Sequence, residues 1–190
     1  MSKYLLISML ATGLVSSAVQ AEEVVIDPIS AIHSIGDVFS VNVLGKNFTT
    51  PLDAGGLNLF YDSSVLSIAS GSKLPSGVTD SVKFASVWDT TFNPGLTSGA
   101  INDAMFFANT APKGDFSIFT VWFEASGAGT SALKLTESTL NPFAGGGGAL
   151  AVNLGSSQVS VVPLPPSVWL FTSGLVLLLA QRKFRQKNSN

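Results

Sequence analysis

The sequence contains no cysteine and only one histidine, His33. A disulfide framework and a thiolate metal site are therefore excluded, and a zinc or Cys-His site would lack its further ligands. A lone imidazole between Ile32 and Ser34 is typical of a loop or strand-edge residue, so we assign His33 no role. Serine is abundant, but no Gly-x-Ser-x-Gly elbow is present to activate one as a nucleophile. The sequence accordingly predicts a protein that is not an enzyme.

Charged residues are scarce, at 12% of the 190 residues, and they are unevenly distributed. All twelve acidic residues lie between Glu22 and Glu137, whereas four of the ten basic residues lie in the last nine positions. Residues 22–161 hold five lysines against the twelve acids, which gives a net charge of −7. Such a domain has no basic face for phosphate, so nucleic acid and anionic lipid headgroups are disfavoured as direct partners.

The N-terminus has the three parts of a secretory signal peptide. Lys3 precedes an apolar run from Tyr4 to about Leu14, and small residues then lead to Val19 and Ala21. The last two residues suit the −3 and −1 pockets of signal peptidase, so residues 1–21 are predicted to be a signal peptide that is cleaved after Ala21. An uncleaved core helix is the less favoured alternative, because the apolar run is too short to span a bilayer.

The C-terminal segment, residues 162–190, joins a proline-rich motif, an apolar run and a basic cluster. Prolines favour an extended hinge, so a helix is expected to begin near Ser167 and to end near Ala180. At 1.5 Å per residue this helix is about 21 Å long, against a hydrocarbon core of about 30 Å, and thinning of the bilayer would cover part of the difference. We therefore predict a single transmembrane helix of marginal length. A buried helix of the domain is the alternative, but the run lacks amphipathic spacing.

The basic cluster at the end of the chain predicts its orientation in the membrane. The cluster consists of Arg182, Lys183, Arg185 and Lys187. Positive charge beside a transmembrane segment acts as a stop-transfer signal and stays in the cytoplasm, so residues 22–161 are expected outside the inner membrane.

The motif Val162-Pro163-Leu164-Pro165, followed by a Trp-containing apolar run and the basic cluster, resembles the sorting signal of PEP-CTERM proteins in its Val-Pro-Leu-Pro variant. The resemblance covers residues 162–190 and implies recognition by an exosortase, a membrane transpeptidase of Gram-negative bacteria that make exopolysaccharide. The protein would be anchored in the inner membrane during sorting and would then reach the cell envelope or the medium. Leu164 replaces the glutamate of the Pro-Glu-Pro motif, so permanent tail anchoring without cleavage stays open as an alternative. A Gram-positive sortase signal is disfavoured, because the sequence lacks Leu-Pro-x-Thr-Gly.

Between the two ends, hydrophobic residues follow a period of two, which is typical of β-strands. Strand-length windows cover residues 24–27, 38–43, 56–61, 65–68, 82–88, 104–107, 116–123, 132–135, 149–154 and 158–161. Turn formers separate them, among them the segments 34–37, 53–55 and 145–148. About nine or ten short strands without a convincing helix predict one all-β domain, an antiparallel β-sandwich, over residues 22–161.

The order of these segments resembles the cohesin-like β-sandwich of bacterial surface proteins, a jelly roll of about nine strands. Residues 36–43 resemble its Gly-Asp-x-Phe-x-Val-x-Val strand, residues 56–66 its Leu-x-Tyr-Asp-x-x-Val-Leu segment, and residues 119–133 its late strand pair. The resemblance implies a partner recognised along one sheet face, which in a true cohesin is a dockerin. A single copy argues against a cellulosome scaffold.

Carboxylates at predicted turns are candidate calcium ligands on an exported domain. They are Asp53, Asp62, Asp80, Asp89, Asp103 and Asp115, with Asn102 beside them. The best single candidate is Asp62, which can also cap the turn that returns Val65 and Leu66 to the core. Capping is favoured, because no Asp-x-Asp-x-Asp spacing is present. No other metal and no cofactor is expected.

The leading functional prediction is a non-enzymatic adhesion or extracellular-matrix module with a protein or polysaccharide ligand. The alternative is a carbohydrate-binding protein or a weak glycan-processing enzyme that acts on exopolysaccharide. Trp88, Phe92 and Trp122 are the candidate sugar platform, although a Trp in an alternating run is more often part of the core. For hydrolysis, no pair of carboxylates stands out as acid and base.

Overall fold

The computed structural model describes residues 21–89 and 93–163. Over these residues the chain is almost entirely β-structure, with one 3₁₀ turn at Gly71–Lys73. The strands, in chain order, are β1 (Glu23–Asp27), β2 (Ser30–Ser34), β3 (Val38–Phe48), β4 (Ala54–Phe60), β5 (Leu66–Ile68), β6 (Val82–Phe84), β7 (Trp88–Asp89), β8 (Gly95–Thr97), β9 (Ala100–Ala108), β10 (Gly114–Ala125), β11 (Gly129–Glu137), β12 (Ala144–Gly145), β13 (Gly148–Ala149), β14 (Asn153–Leu154) and β15 (Ser156–Val162).

These strands form two sheets that enclose one core. Sheet A has six strands in the order β14, β1, β3, β10, with β5 and β6 both paired to the far edge of β10. Sheet B has nine strands and is built on the order β9, β4, β11, β15, β2, with β7 and β8 on β9 and the β12–β13 hairpin at the start of β4. Pairing is antiparallel except between β1 and β14 and between β2 and β15. The predicted all-β sandwich is confirmed.

The alternation of side chains along the strands builds the core. In β3, Phe39, Val41 and Val43 are buried, whereas Ser40 and Asn42 lie on the opposite face of sheet A. Large aromatic rings fill the space between the sheets, namely Phe48, Phe106, Phe119, Phe123 and Phe143. Burial of each such side chain contributes roughly 1.5–3 kcal/mol, so the domain reaches a substantial core without any disulfide.

The prediction of one strand over residues 82–88 is wrong. Within this segment β6 pairs with β10 in sheet A, whereas β7 pairs with β9 in sheet B. The chain changes sheets at a turn in which Trp88 N donates to Ala85 O at 3.1 Å. The alternation continues across this turn because both sheets face the same core.

Other strand predictions differ in number and in position. The window 149–154 contains the ends of two short strands, β13 in sheet B and β14 in sheet A, rather than one strand. The predicted turn at 53–55 lies mostly within β4, where a Cβ on Gly55 would lie 2.7 Å from the rings of Phe106 and Phe143. Glycine is therefore used here for close packing and not for a turn. The described residues form fifteen strands instead of about nine, and β2, β8 and β12 were not predicted by the periodicity.

The chain enters the described fold at Ala21 and leaves it at Pro163. Residues 1–20 of the predicted signal peptide, residues 1–21, lie outside the described residues, and so does the segment 164–190 with its predicted transmembrane helix. Leu164, Pro165 and the basic residues Arg182, Lys183, Arg185 and Lys187 belong to that segment. Among the described residues, no helix has the length and hydrophobicity needed to cross a bilayer.

Candidate functional site

The two sheets present chemically different outer faces, which we call face A and face B. Every large hydrophobic residue that is exposed on a described strand belongs to sheet B: Ile32, Phe60, Leu96, Phe107 and Val162. Ile32 is 75% exposed and Phe60 is 41% exposed. All of these hydrophobic residues except Leu96, which is paired with the buried Ile101, point to the outer face. Exposed apolar side chains confined to one face favour protein binding, so face B is the candidate docking site.

Phe60 is the last residue of β4, an inner strand of sheet B. In β4, Leu57 and Leu59 point into the core, and Phe60 points outward. The register places it between Ala100 of β9 and Lys134 of β11. An aromatic ring beside a small side chain and a long flexible one is accessible to a partner, and aromatic residues are the commonest anchors of protein interfaces.

A β-bulge lies next to Phe60 in the same face. Leu57 pairs with Ala104 and Leu59 pairs with Ile101, so Asn58 lies opposite two residues of β9, one of which is Asp103. Asp103 has a φ of +49°, in the left-handed region that non-glycine residues seldom adopt. Asn58 Oδ1 accepts a hydrogen bond from Asp103 N at 2.8 Å, which satisfies the backbone group displaced by the bulge.

Further hydrogen bonds extend this polar cluster under the adjoining loop. Asn58 Nδ2 donates to Thr136 Oγ1 at 3.3 Å, and Ser138 Oγ donates to Asp103 Oδ1 at 2.7 Å. Ser138 N donates to Gly56 O at 2.8 Å, and Ser138 itself is buried. The loop after β11 is thus fixed against face B at the bulge, and this cluster is rigid. The sequence predicted a turn at Asp103. Nothing in the sequence indicated Asn58 or Ser138, because the bulge depends on the register of two distant strands.

Asp62 occupies the turn that follows β4. Its Oδ1 accepts hydrogen bonds from Ser64 Oγ at 2.7 Å and from Ser64 N at 2.8 Å. These two bonds hold the pKa of Asp62 below its usual value, and the bond from the Ser64 side chain has the larger effect. Leu66 N donates to Asp62 O at 2.9 Å, and both Val65 and Leu66 are buried, so the predicted capping of this turn is confirmed. No group of three or more acidic or histidine side chains suited to a metal ion occurs in the described parts of the chain, and calcium binding at Asp62 stays a prediction.

His33 lies in β2, the edge strand of sheet B, as its interpretation as a strand-edge residue predicts. Its ring stacks on Phe39 with the ring centroids 3.8 Å apart, and its Nδ1 lies 4.0 Å from Asp37 Oδ2. These contacts give the imidazole a packing role.

The candidate sugar platform is not assembled as the sequence suggested. Trp88 is only 4% exposed, and its Nε1 donates to Ser117 O at 3.0 Å within the domain. Trp88 is therefore a core residue, as its alternating run indicated, and its placement in a platform is wrong. Phe92 lies outside the described residues, and Trp122 lies partly exposed on face A.

The described fold begins and ends beside the two predicted processing sites. Glu22, directly after Ala21, accepts hydrogen bonds from Thr49 N at 2.9 Å and Thr50 N at 2.8 Å. Burial raises the pKa of Glu22, but these bonds outweigh it and hold the pKa below its usual value. At the other end, Val162 closes β15 and its carbonyl accepts a bond from Ile35 N at 3.1 Å. The sandwich therefore extends from Glu22 to the first residue of the predicted sorting motif.

Comparison with known proteins gives structural similarity without sequence similarity. No protein-family model matches the sequence, and no curated protein has a significant match to it. A non-cellulosomal cohesin from the hyperthermophilic archaeon Archaeoglobus fulgidus matches with a TM-score of 0.58 and 17% identity, over 75% of this chain and 92% of that one. A chain of a type I cohesin–dockerin complex from Clostridium thermocellum matches with a TM-score of 0.59 and 16% identity, over 75% and 100% of the two chains.

A third similar structure is a type I cohesin from Pseudobacteroides cellulosolvens, with a TM-score of 0.55 and 13% identity over 77% of this chain and 95% of that one. At such identities the similarity concerns the fold. It agrees with the segment order found in the sequence, and the domain is a cohesin-like β-sandwich.

Proposed function

We propose that this chain is an exported, envelope-associated and non-enzymatic adhesion or extracellular-matrix module that docks a protein partner on face B. The observation that carries the proposal is the confinement of exposed strand hydrophobics to sheet B, with Phe60 on its inner strand β4. The core of a protein interface is aromatic and aliphatic, and its rim is polar. The cohesin–dockerin complex among the similar structures supports a protein as the ligand.

The bulge cluster supports the same assignment. Asn58 and Ser138 use their polar atoms to hold Asp103 and the loop after β11 in place. A face that is already fixed loses little conformational entropy when a partner binds, which favours affinity at this surface.

Export and sorting complete the proposal. Signal peptidase cleaves after Ala21, and an exosortase recognises Val162-Pro163-Leu164-Pro165 while the C-terminal helix holds the chain in the inner membrane. Because β15 ends at Val162, cleavage within the motif would leave every hydrogen bond of the sandwich intact. The product would then reach the envelope or the exopolysaccharide matrix.

Site-specific photo-crosslinking in the native host tests the docking face. A photoreactive amino acid in place of Phe60 should give one discrete adduct with another protein. The matched position is Lys83, which is exposed on face A and should not give that adduct. Equal adducts from both positions, or none from Phe60, would contradict the assignment of face B.

Mass spectrometry of the C-terminus tests the sorting step. In a strain that has the exosortase, the mature chain should end near the motif, and deletion of the exosortase should restore the full tail. Replacement of both Pro163 and Pro165 by Ala should block processing. An intact tail in the parent strain would instead establish permanent anchoring.

A further inference from the structure

Among the described residues, face A carries one aromatic ring, Trp122 of β10. Strand alternation places Trp122 outward, in register with Ser40 of β3 and on the same face as Thr120. Its backbone is held on the opposite edge, where Trp122 N donates to Ser81 O and Ala69 N donates to Trp122 O, both at 2.9 Å. The indole is thus mounted on a strand that is hydrogen-bonded on both sides.

The indole N–H of Trp122 is available to a ligand. In the described residues, every buried side-chain nitrogen or oxygen has a hydrogen-bond partner. Trp122 Nε1 has no partner there, so it reaches solvent. The core residue Trp88 is the contrasting case, since its Nε1 is bound to Ser117 O.

Hydrogen-bonding groups surround this ring, and the carboxylate beside it, Glu124, is neutralised by Lys73, whose Nζ lies 2.6 Å from Glu124 Oε2. Thr120 Oγ1 donates to Asn42 Oδ1 at 2.8 Å, which fixes the amide of Asn42 and leaves its Nδ2 for an external acceptor. Asn42 and Thr120 lie in one row across the sheet, with Asp27 at one end and Lys83 at the other. The opposite charges of the end residues cancel, so the row has no net charge.

We propose that face A binds a neutral polysaccharide, with one sugar ring stacked on Trp122 and its hydroxyls bonded to Asn42 and Ser40. A pyranose offers a C–H face to an aromatic ring and hydroxyls that both donate and accept, which matches an indole with a free N–H beside an oriented amide. Acidic polysaccharides are disfavoured, because the domain as a whole carries a net charge of −7. The site lies on the opposite sheet from the protein-docking face, so one module would join a protein to a matrix glycan.

Affinity electrophoresis of the full chain tests the site. The chain is kept in a polyoxyethylene detergent, because a sugar-headed detergent would compete. Native gels contain hydroxyethyl cellulose, a neutral galactan or a neutral mannan in separate runs, with polygalacturonate as the acidic comparison. At least one neutral polymer should retard the chain, and polygalacturonate should not.

Variants locate the binding on face A. Trp122→Ala should weaken the binding by about tenfold or more, and Trp122→Phe by less, because a smaller ring keeps part of the stacking. Asn42→Ala, which leaves the ring in place, should weaken it by a few fold. Gln158→Ala, which removes an exposed amide from sheet B, is the matched control and should bind as the parent does. The proposal would be overturned if no neutral polymer retards the chain, or if polygalacturonate alone does so. It would also be overturned if the Trp122→Phe and Asn42→Ala variants both bind as the parent does.

Discussion

Replacement of Asn58 by alanine measures what the bulge in face B contributes to stability. Asn58 Oδ1 is the acceptor for Asp103 N, and this bond is partly buried. Its loss leaves a donor unsatisfied beneath the loop after β11, which costs about 1–3 kcal/mol, while the longer bonds of Asn58 Nδ2 at 3.3 and 3.4 Å add little. Asp103 would also keep its unfavourable positive φ without the bond that holds it. We expect the free energy of unfolding to fall by about 2 kcal/mol, or roughly 6–8 °C in Tm for a domain of this size.

Asn102→Ala is the matched control for this prediction. Asn102 lies in the same bulge and undergoes the same chemical change, but its bonds to Gly95 O at 3.5 Å and Thr97 Oγ1 at 3.2 Å are exposed. Its loss should cost less than about 0.5 kcal/mol. Urea unfolding of both variants, followed by tryptophan fluorescence, gives the comparison, since the buried Trp88 reports on the core. Equal stability of the two variants would refute the assignment of structural weight to the Asn58–Asp103 bond.

Two further predictions concern packing and pH. Gly55→Ala should destabilise the fold by about 1–3 kcal/mol in urea unfolding, because the new Cβ would lie 2.7 Å from the buried rings of Phe106 and Phe143. Gly148→Ala is the control and should be neutral, since no atom lies within 4 Å of its Cβ. Equal stability of the two variants would contradict the packing argument. The pKa of Asp115 lies below its ordinary 3.8, first because the Lys46 side chain donates a hydrogen bond to it and then because Asn47 N does. The contribution of this carboxylate to stability is therefore present above that value and is lost as the pH falls. Between about pH 5 and about pH 3, the urea midpoint of the parent should therefore fall more than that of Asp115→Asn, and parallel curves would show that this carboxylate does not contribute.

Much of the fold could be predicted from the local alternation of hydrophobic and polar residues. The wrong assignment of residues 82–88 to one strand shows what this alternation does not record. The period of two in Leu57 and Leu59 correctly identified their shared inward face. The same signal runs through residues 82–88 without showing that the chain leaves sheet A and enters sheet B at Ala85. Alternation records which side faces the core, and both sheets face the same core, so it carries no information about which sheet a segment joins.

The candidate surfaces were less predictable, because they depend on pairing between distant segments. Asp62 and Ser64 are two residues apart, so their turn was visible in the sequence. Asn58 and Asp103 meet only through a register shift between β4 and β9. By contrast, the different positions of the two tryptophans follow from local alternation. Trp88 is in phase with the core-packed Phe84, whereas Trp122 is in phase with Thr120 on face A.

The pairing of β15 has a mechanical consequence. This strand leads directly to the C-terminal segment, and it is bonded along its length to β11 on one side and to β2 on the other. A pull on the chain beyond Pro163 acts along the strand and thus perpendicular to these hydrogen bonds. The bonds then resist together in shear instead of opening one after another from an end. A module tethered at its C-terminus would therefore transmit tension to both neighbouring strands at once, and the rate of forced unfolding would be set by rupture of this three-stranded unit.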